Sequence, residues 1–171
     1  MKQRYIKVNR DCMGRMYPQA HERFFALPQK AHLQVFEDVA RFLCHTAKQG
    51  YVAVDFYDGS VMYDEVRCKT TVCDIDFFRK CPTTNDMGRM WGSSRFMSPE
   101  EFTLGAQLDE ITNVYTLGAF AFALFARCSR EKADWTLSEE RYRIAAKAVS
   151  PDRSARQQSL AQFMREWNEA H

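Results

Sequence analysis

Hydrophobic residues recur every three or four positions along several parts of the chain, which is typical of helices with one buried face. After Pro28, apolar side chains keep this spacing as far as Gly50, which predicts a long helix. Residues 111–125 are apolar on every side, which predicts a helix enclosed by other helices. Three further helices are predicted. The first covers Gln19–Leu27, the second runs from a capping box at Thr136–Glu139 to about Val149, and the third covers Ser154–Trp167.

Shorter stretches alternate between apolar and polar residues, as strands do. These stretches are Tyr5–Val8, Val52–Val54, Val61–Tyr63 and Lys69–Ile75. Together with the turn residues between them, they predict small β-hairpins. Residues 77–96 mix glycine, serine, threonine and asparagine with isolated large residues, which favours an extended segment. Ser98, followed by Pro99 and two glutamates, predicts the start of another helix.

Composition excludes several classes of protein. With 171 residues, of which 46% are hydrophobic, one domain is the default. The 24 basic residues nearly balance the 22 acidic ones and form no run, which argues against a nucleic-acid partner. The longest apolar run, 117–126, is about half of what a membrane-spanning helix needs. Six cysteines without a CxxC pair indicate reduced thiols and a cytoplasmic location.

Five short motifs follow one another in order: Ala53–Asp64, Asp76–Phe78, Gly92–Glu100, Asn113–Gly118 and Pro151–Arg156. They resemble five motifs of protein kinases, which occur in this same order. These are the catalytic loop H-R-D-L-K-x-x-N, the metal-binding Asp-Phe-Gly, the G-T-x-x-Y-M-A-P-E that closes the activation segment, the buried D-I-W-S-L-G helix and the late P-D-P-x-x-R. Each match is weak alone, but their order makes the resemblance specific, and it extends over nearly the whole chain.

The resemblance implies a mainly α fold, the C-terminal helical lobe of a protein kinase, with small β-hairpins that carry the catalytic and metal loops. Residues 1–171 would form one domain, made of a hinge-like leader (1–18), an activation-like segment (76–100) and a helical subdomain (101–168). Neither a glycine-rich loop nor a Val-Ala-x-Lys strand precedes Asp55, so we expect the small ATP-clamping lobe to be missing. We expect the surface exposed at the hinge to bind a protein partner or a second copy.

By the same resemblance, Asp55 would be the catalytic base and Asp76 a magnesium ligand. Asp74 is a rival for that role, but Asp76 is favoured because the apolar Ile75 and Phe77 flank it. Ser60 stands where kinases have a second metal-binding asparagine, and Tyr57 where they have a lysine beside the phosphate. The other implied roles are a contact of Ser93 with the catalytic loop, a buried ion pair between Glu100 and Arg156, and a structural role for Asn113. Asp58 is expected to be a turn residue. Met90 and Trp91 either dock a partner or pack against the lobe, and packing is favoured.

The implied activity is that of a serine/threonine kinase, transferring phosphate from ATP, with Mg²⁺, to a protein hydroxyl. The departures at Ser60 and Tyr57 predict a weakly active chain. The alternative is a catalytically silent pseudokinase lobe that binds another protein.

Overall fold

The computed structural model describes residues 5–7 and 18–170, and most of the predicted hinge-like leader lies outside them. The described part of the chain contains five α-helices: α1 Pro18–Phe25, α2 Gln29–Lys48, α3 Glu110–Ala126, α4 Glu139–Ala148 and α5 Leu160–Glu169. Its strands are β1 Tyr5–Lys7, β2 Tyr51–Val52, β3 Val61–Asp64, β4 Lys69–Val72, β5 Arg79–Lys80, β6 Thr83–Thr84 and β7 Gln107–Leu108. The fold is therefore mainly helical, with short antiparallel strands.

Helix α3 forms the centre of the core, as its apolar sequence predicts. Nearly all of its residues are buried, and it contacts α2, α4 and α5. Gly118 lets α4 come close, because a Cβ atom at this position would lie only 2.6 Å from the Cβ atom of Ala148. A larger residue at position 118 would push these two helices apart.

Aromatic rings join α2 and α5 beside this central helix. The ring of Phe36 on α2 lies 4.4 Å from Trp167 on α5, and Phe163 stacks on Trp167 at 5.7 Å. Phe125 of α3 closes the cluster with an edge contact to Phe36. Such rings bury large apolar areas, so this cluster fixes the last helix against the core.

The short strands form three small antiparallel sheets. Strand β3 lies between β1 and β4, β2 pairs with β5, and β6 pairs with β7. The loop 53–60 runs from β2 to β3, and the chain that follows β4 returns beside it, since Cys73 N donates to the carbonyl oxygen of Ser60 at 2.9 Å. The sheets therefore bring the loop and the end of β4 together.

Three predicted helix starts differ from the observed ones. Ser98 opens only a single 3₁₀ turn, Pro99–Phe102, because the chain then turns away so that Glu100 faces the core. Residues Arg153–Ala155 form a separate turn capped by Asp152, so α5 begins at Leu160 rather than at Ser154. Helix α4 is capped by Ser138, because the hydroxyl of Thr136 instead donates to the carbonyl of Phe125.

None of the helices among residues 18–170 is both long enough and apolar enough to cross a bilayer.

Candidate functional site

The loop 53–60 is held by a single side chain of the buried helix. Asn113 accepts a hydrogen bond from Ala53 N at 2.7 Å, and its amide donates to the carbonyl of Tyr51 at 3.1 Å. Asn113 is completely buried, and its two bonds pair the buried N–H of Ala53 and the partly buried carbonyl of Tyr51. An aspartate could make only the first of these bonds, which gives the asparagine at this motif position a physical reason.

Asp55 projects from this loop between two buried residues, Val54 and Phe56. Its backbone is in the left-handed region, with φ of 61°, which is unusual for a residue other than glycine. Backbone strain of this kind is concentrated at functional sites, where the surrounding structure maintains it. The burial of Val54 and Phe56 on either side explains why Asp55 keeps this conformation.

Asp55 has an unusual electrostatic environment. Partial burial raises the pKa of Asp55, and the negative charge of Asp74 raises it further. Asp74 follows β4 and also has a left-handed backbone, with φ of 55°. The charge of Asp74, from a different segment, therefore acts on Asp55.

The activation-like segment reaches the same place through Gly92. A Cβ atom at Gly92 would lie 3.4 Å from Oδ1 of Asp55, and the φ of Gly92 is 135°. Glycine at this position therefore allows the segment to approach Asp55 closely. Ser93 is half-buried, and its carbonyl oxygen accepts a hydrogen bond from Phe96 N at 2.8 Å, which closes a turn in the segment.

Asp76 and Asp74 have different surroundings. Asp76 is exposed, as are its neighbours Ile75 and Phe77, which are 50% and 47% exposed. The apolar neighbours that favoured Asp76 in the sequence are therefore not packed around it. Asp74 is exposed as well, but its negative charge raises the pKa of Asp55, so the electrostatics favours Asp74 as the partner of Asp55.

Ser60 and Tyr57 are both involved in contacts within the loop. Ser60 is fully buried, and its hydroxyl oxygen lies 3.5 Å from Tyr57 N, which donates to it. The ring of Tyr57 makes an edge contact with the ring of Phe96 in the activation-like segment. Ser60 therefore closes a turn within the loop, and Tyr57 joins the loop to the activation-like segment.

An ion pair between Asp58 and Arg95 was not apparent from the sequence. The Asp58–Ser60 turn is present, but the carboxylate of Asp58 is buried and accepts hydrogen bonds from Arg95 at 3.0 and 3.2 Å. Arg95 also lies 2.6 Å from the sulfur of Cys128, at the end of α3. The two charged residues are 37 positions apart, so no local pattern could have indicated the pair.

Glu100 and Arg156, which the resemblance pairs, form a bidentate ion pair at 2.8 and 3.0 Å. Both residues are buried, and Arg153 adds a second cation at 2.8 Å from Glu100. Burial would raise the pKa of Glu100, but the hydrogen bond from Arg156 and the charges of both arginines keep it below its ordinary value. Arg153 also binds both carboxylate oxygens of Asp109, the N-cap residue of α3.

The described residues contain no group of three or more histidine, cysteine, aspartate or glutamate side chains that could hold a metal ion by themselves. A magnesium ion bound to substrate phosphates needs only one or two carboxylates, because the phosphates supply further oxygens. Asp74, whose charge acts on Asp55, is one carboxylate near the loop, and the exposed Asp76 is another.

No protein family model matches the chain, and no curated protein sequence matches it. At the level of structure, 866 chains of solved structures match, so the fold is widespread. One of them is the kinase PK-1 of the Cydia pomonella granulovirus, with a TM-score of 0.65 and 14% sequence identity. The match covers 81% of this chain and 58% of the viral kinase chain. At this identity the likeness shows the fold alone, and the chain therefore has a protein-kinase-like fold.

Proposed function

We propose that the chain is the catalytic lobe of a protein-kinase-like phosphotransferase, which transfers the terminal phosphate of ATP to a serine or threonine hydroxyl of a protein. The observation that carries the proposal is the electrostatic contact between Asp55 and Asp74, both in left-handed backbone conformations. A carboxylate whose pKa is raised by a neighbouring negative charge, as that of Asp55 is by Asp74, is stabilised in its charged form when a cation binds beside it. Residues that only stabilise the fold do not require two carboxylates to be placed in this way.

In this proposal, each aspartate has its own task. Asp55, beside Gly92, accepts the proton of the substrate hydroxyl and orients its oxygen. Asp74 holds Mg²⁺, with the exposed carboxylate of Asp76 as the alternative ligand. Mg²⁺, when bound with ATP, would neutralise the charge that develops on the phosphate oxygens.

The other residues support these two. Asn113 fixes the start of the loop, and the Asp58–Arg95 pair fixes its far end to the activation-like segment. The ion pair of Glu100 with Arg156 fixes the other end of that segment to the helices. The loop and the segment are therefore both held at two places, which keeps Asp55 in a defined position.

The test is transfer of labelled phosphate from Mg-ATP to a generic serine/threonine substrate. Asp55→Asn should lower the rate by about 100-fold or more, because the base is lost while the size of the side chain is kept. Asp86→Asn is the matched control, since Asp86 is an exposed loop aspartate paired with Arg79. Equal rates for Asp55→Asn and the parent chain would refute the catalytic proposal.

A second candidate is a silent lobe that binds another protein, and the burial of Ser60 favours it. A fully buried hydroxyl is not accessible to a second metal ion. This candidate predicts that Mg-ATP leaves the melting temperature unchanged. A rise in melting temperature with Mg-ATP, abolished by Asp74→Asn, would exclude it.

A further inference from the structure

The segment between β5 and α3 exposes several large apolar side chains. Trp91 is 55% exposed, Phe102 is 43% exposed and Leu104 is 70% exposed. Met87 is also exposed, at 42%. Large exposed apolar residues are ordinary when scattered, but a group of them usually marks an interaction site.

These side chains lie on two stretches of chain that are joined side by side. Met90 N donates to the carbonyl of Glu101 at 2.8 Å, which places the residues next to Met90 and Glu101 close together. The guanidinium group of Arg89 lies 5.8 Å from the centre of the Phe102 ring. We call the group Met87, Arg89, Trp91, Phe102 and Leu104 the Trp91 surface.

A buried asparagine holds this surface in shape. The side chain of Asn85 accepts hydrogen bonds from the backbone of Met87 and Gly88 at 3.0 and 2.9 Å, and it donates to the carbonyl of Glu100 at 3.1 Å. The backbone carbonyl oxygen of Asn85 accepts a hydrogen bond from Gly105 N at 2.7 Å. A surface fixed in this way loses little conformational entropy when a partner binds.

The charges around the surface favour one sign of partner. Arg89, the one charged residue of the surface, is exposed, and Arg79, whose guanidinium lies 3.8 Å from the sulfur of Met87, is paired with the exposed Asp86. The nearby Glu100 and Glu101 are buried, so their charges face the core. The Trp91 surface therefore combines apolar side chains with an excess of positive charge.

We propose that the Trp91 surface binds an acidic peptide segment of a partner protein, one in which apolar side chains alternate with carboxylates. The apolar side chains pack on Trp91, Phe102 and Leu104, and a carboxylate pairs with Arg89. Tryptophan and arginine dominate the energetics of many interfaces, which makes Trp91 and Arg89 the expected anchors. This binding does not require phosphoryl transfer and goes beyond the function proposed above.

The test uses three fluorescein-labelled dodecapeptides and the whole chain. One peptide alternates glutamate with leucine, one alternates lysine with leucine, and one alternates glutamate with serine. The glutamate–leucine peptide should bind at least about tenfold more tightly than the other two, and added salt should weaken its binding. The bound peptide should also shield Trp91 from quenching by acrylamide. The quenching reports mainly on Trp91, because Trp135 is half-buried and Trp167 is buried.

Variants identify the surface. Trp91→Ala and Arg89→Glu should each weaken binding of the glutamate–leucine peptide by about tenfold, and Arg89→Glu should improve binding of the lysine–leucine peptide. Arg67→Glu is the matched control, because Arg67 is exposed in the β3–β4 turn, outside the Trp91 surface. Mg-ATP binding measured on the same variants separates this proposal from the catalytic one.

Four outcomes would overturn the proposal. The glutamate–leucine peptide does not bind, or the lysine–leucine peptide binds equally well. The Trp91→Ala variant binds the glutamate–leucine peptide as tightly as the parent chain does, or sedimentation shows a dimer of the parent chain that Trp91→Ala dissociates. The last outcome would assign the surface to a second copy of this chain.

Discussion

The ion-pair anchor around Glu100 and the loop around Asp55 handle negative charge in opposite ways. At the anchor, a buried carboxylate has two arginines within 2.8 Å, and its pKa lies below the ordinary value. At the loop, Asp55 has another carboxylate, Asp74, as an electrostatic neighbour, and its pKa is raised. The anchor is complete as it stands, whereas the loop would be stabilised by a cation.

This difference separates what holds the fold together from what can perform chemistry. A buried pair with all its hydrogen bonds made has no capacity left for a ligand, but its loss is expensive. A pair of like charges in a strained loop costs stability and is the kind of feature found at functional sites. We therefore expect mutations at the anchor to change stability and mutations at the loop to change binding and activity.

The largest effect is expected from breaking the anchor. Glu100→Gln should lower the free energy of unfolding by about 3 to 5 kcal/mol, because the fully buried guanidinium of Arg156 loses its counter-charge. Urea unfolding followed by circular dichroism measures this change. The double variant Glu100→Gln with Arg156→Leu should recover part of the loss, since it removes the unpaired charge.

Glu139→Gln is the control for that experiment. Glu139 also has two cationic partners, Arg143 at 2.6 Å and Lys132 at 2.9 Å, but all three side chains are exposed. Exposed ion pairs contribute little to stability, so this variant should unfold almost like the parent chain. Similar losses for Glu100→Gln and Glu139→Gln would contradict the role given to burial.

Asn113 joins the two regions, and its removal should have the next largest effect. Asn113→Ala leaves the backbone N–H of Ala53 and the carbonyl of Tyr51 without their partner in the interior, which should cost about 3 kcal/mol. Asn113→Asp should also destabilise, because a carboxylate cannot donate to the Tyr51 carbonyl. An Asn113→Asp variant as stable as the parent chain would show that the second bond contributes nothing.

The elements that rest on periodicity could be predicted from the sequence, and α2 and α3 are the clearest cases. A long amphipathic pattern and an all-apolar helix depend on residues close together in the chain, so their signal is local. The pairing of Glu100 with Arg156 could also be predicted, but only from the order of the motifs and not from periodicity.

The details of the candidate site were less predictable, because they depend on burial and on distant contacts. Asp58 has the sequence of a turn residue, and it does lie in a turn, but its carboxylate is buried against Arg95. Trp91 and Met90 are neighbours in sequence, yet Met90 is buried as expected and Trp91 is exposed. Sequence spacing could not distinguish Asp74 from Asp76, because the exposure of Ile75 and Phe77 is a tertiary property.

Glu101 provides a smaller, pH-dependent test beside the anchor. Burial raises its pKa to about 7, although two hydrogen bonds from Ser98 oppose the shift. Because the folded-state pKa lies above the ordinary value of 4.5, the contribution of this carboxyl to stability is full below pH 4.5 and is lost as the pH rises through about 7.

Glu101→Gln removes the charge and keeps an oxygen that can accept from Ser98. At pH 8 this variant should therefore be more stable than the parent chain by about 2 kcal/mol, and at pH 4.5 the two should be equal. Thermal melts across this range measure the difference. A constant difference at all pH values would mean that Glu101 does not titrate in the folded protein.

The smallest effect, and the one that most directly tests the loop, is on the titration of Asp55. Asp74→Asn should lower the pKa of Asp55 towards its ordinary value without reaching it, because burial is the larger cause of the shift and remains in the variant. Asp76→Asn is the matched control and should leave that pKa unchanged. Carboxyl-carbon NMR titration of Asp55 in the three proteins measures both effects. If Asp76→Asn moved the titration more than Asp74→Asn, the aspartate beside Asp55 would be Asp76, and the metal role in the proposed function would pass to it.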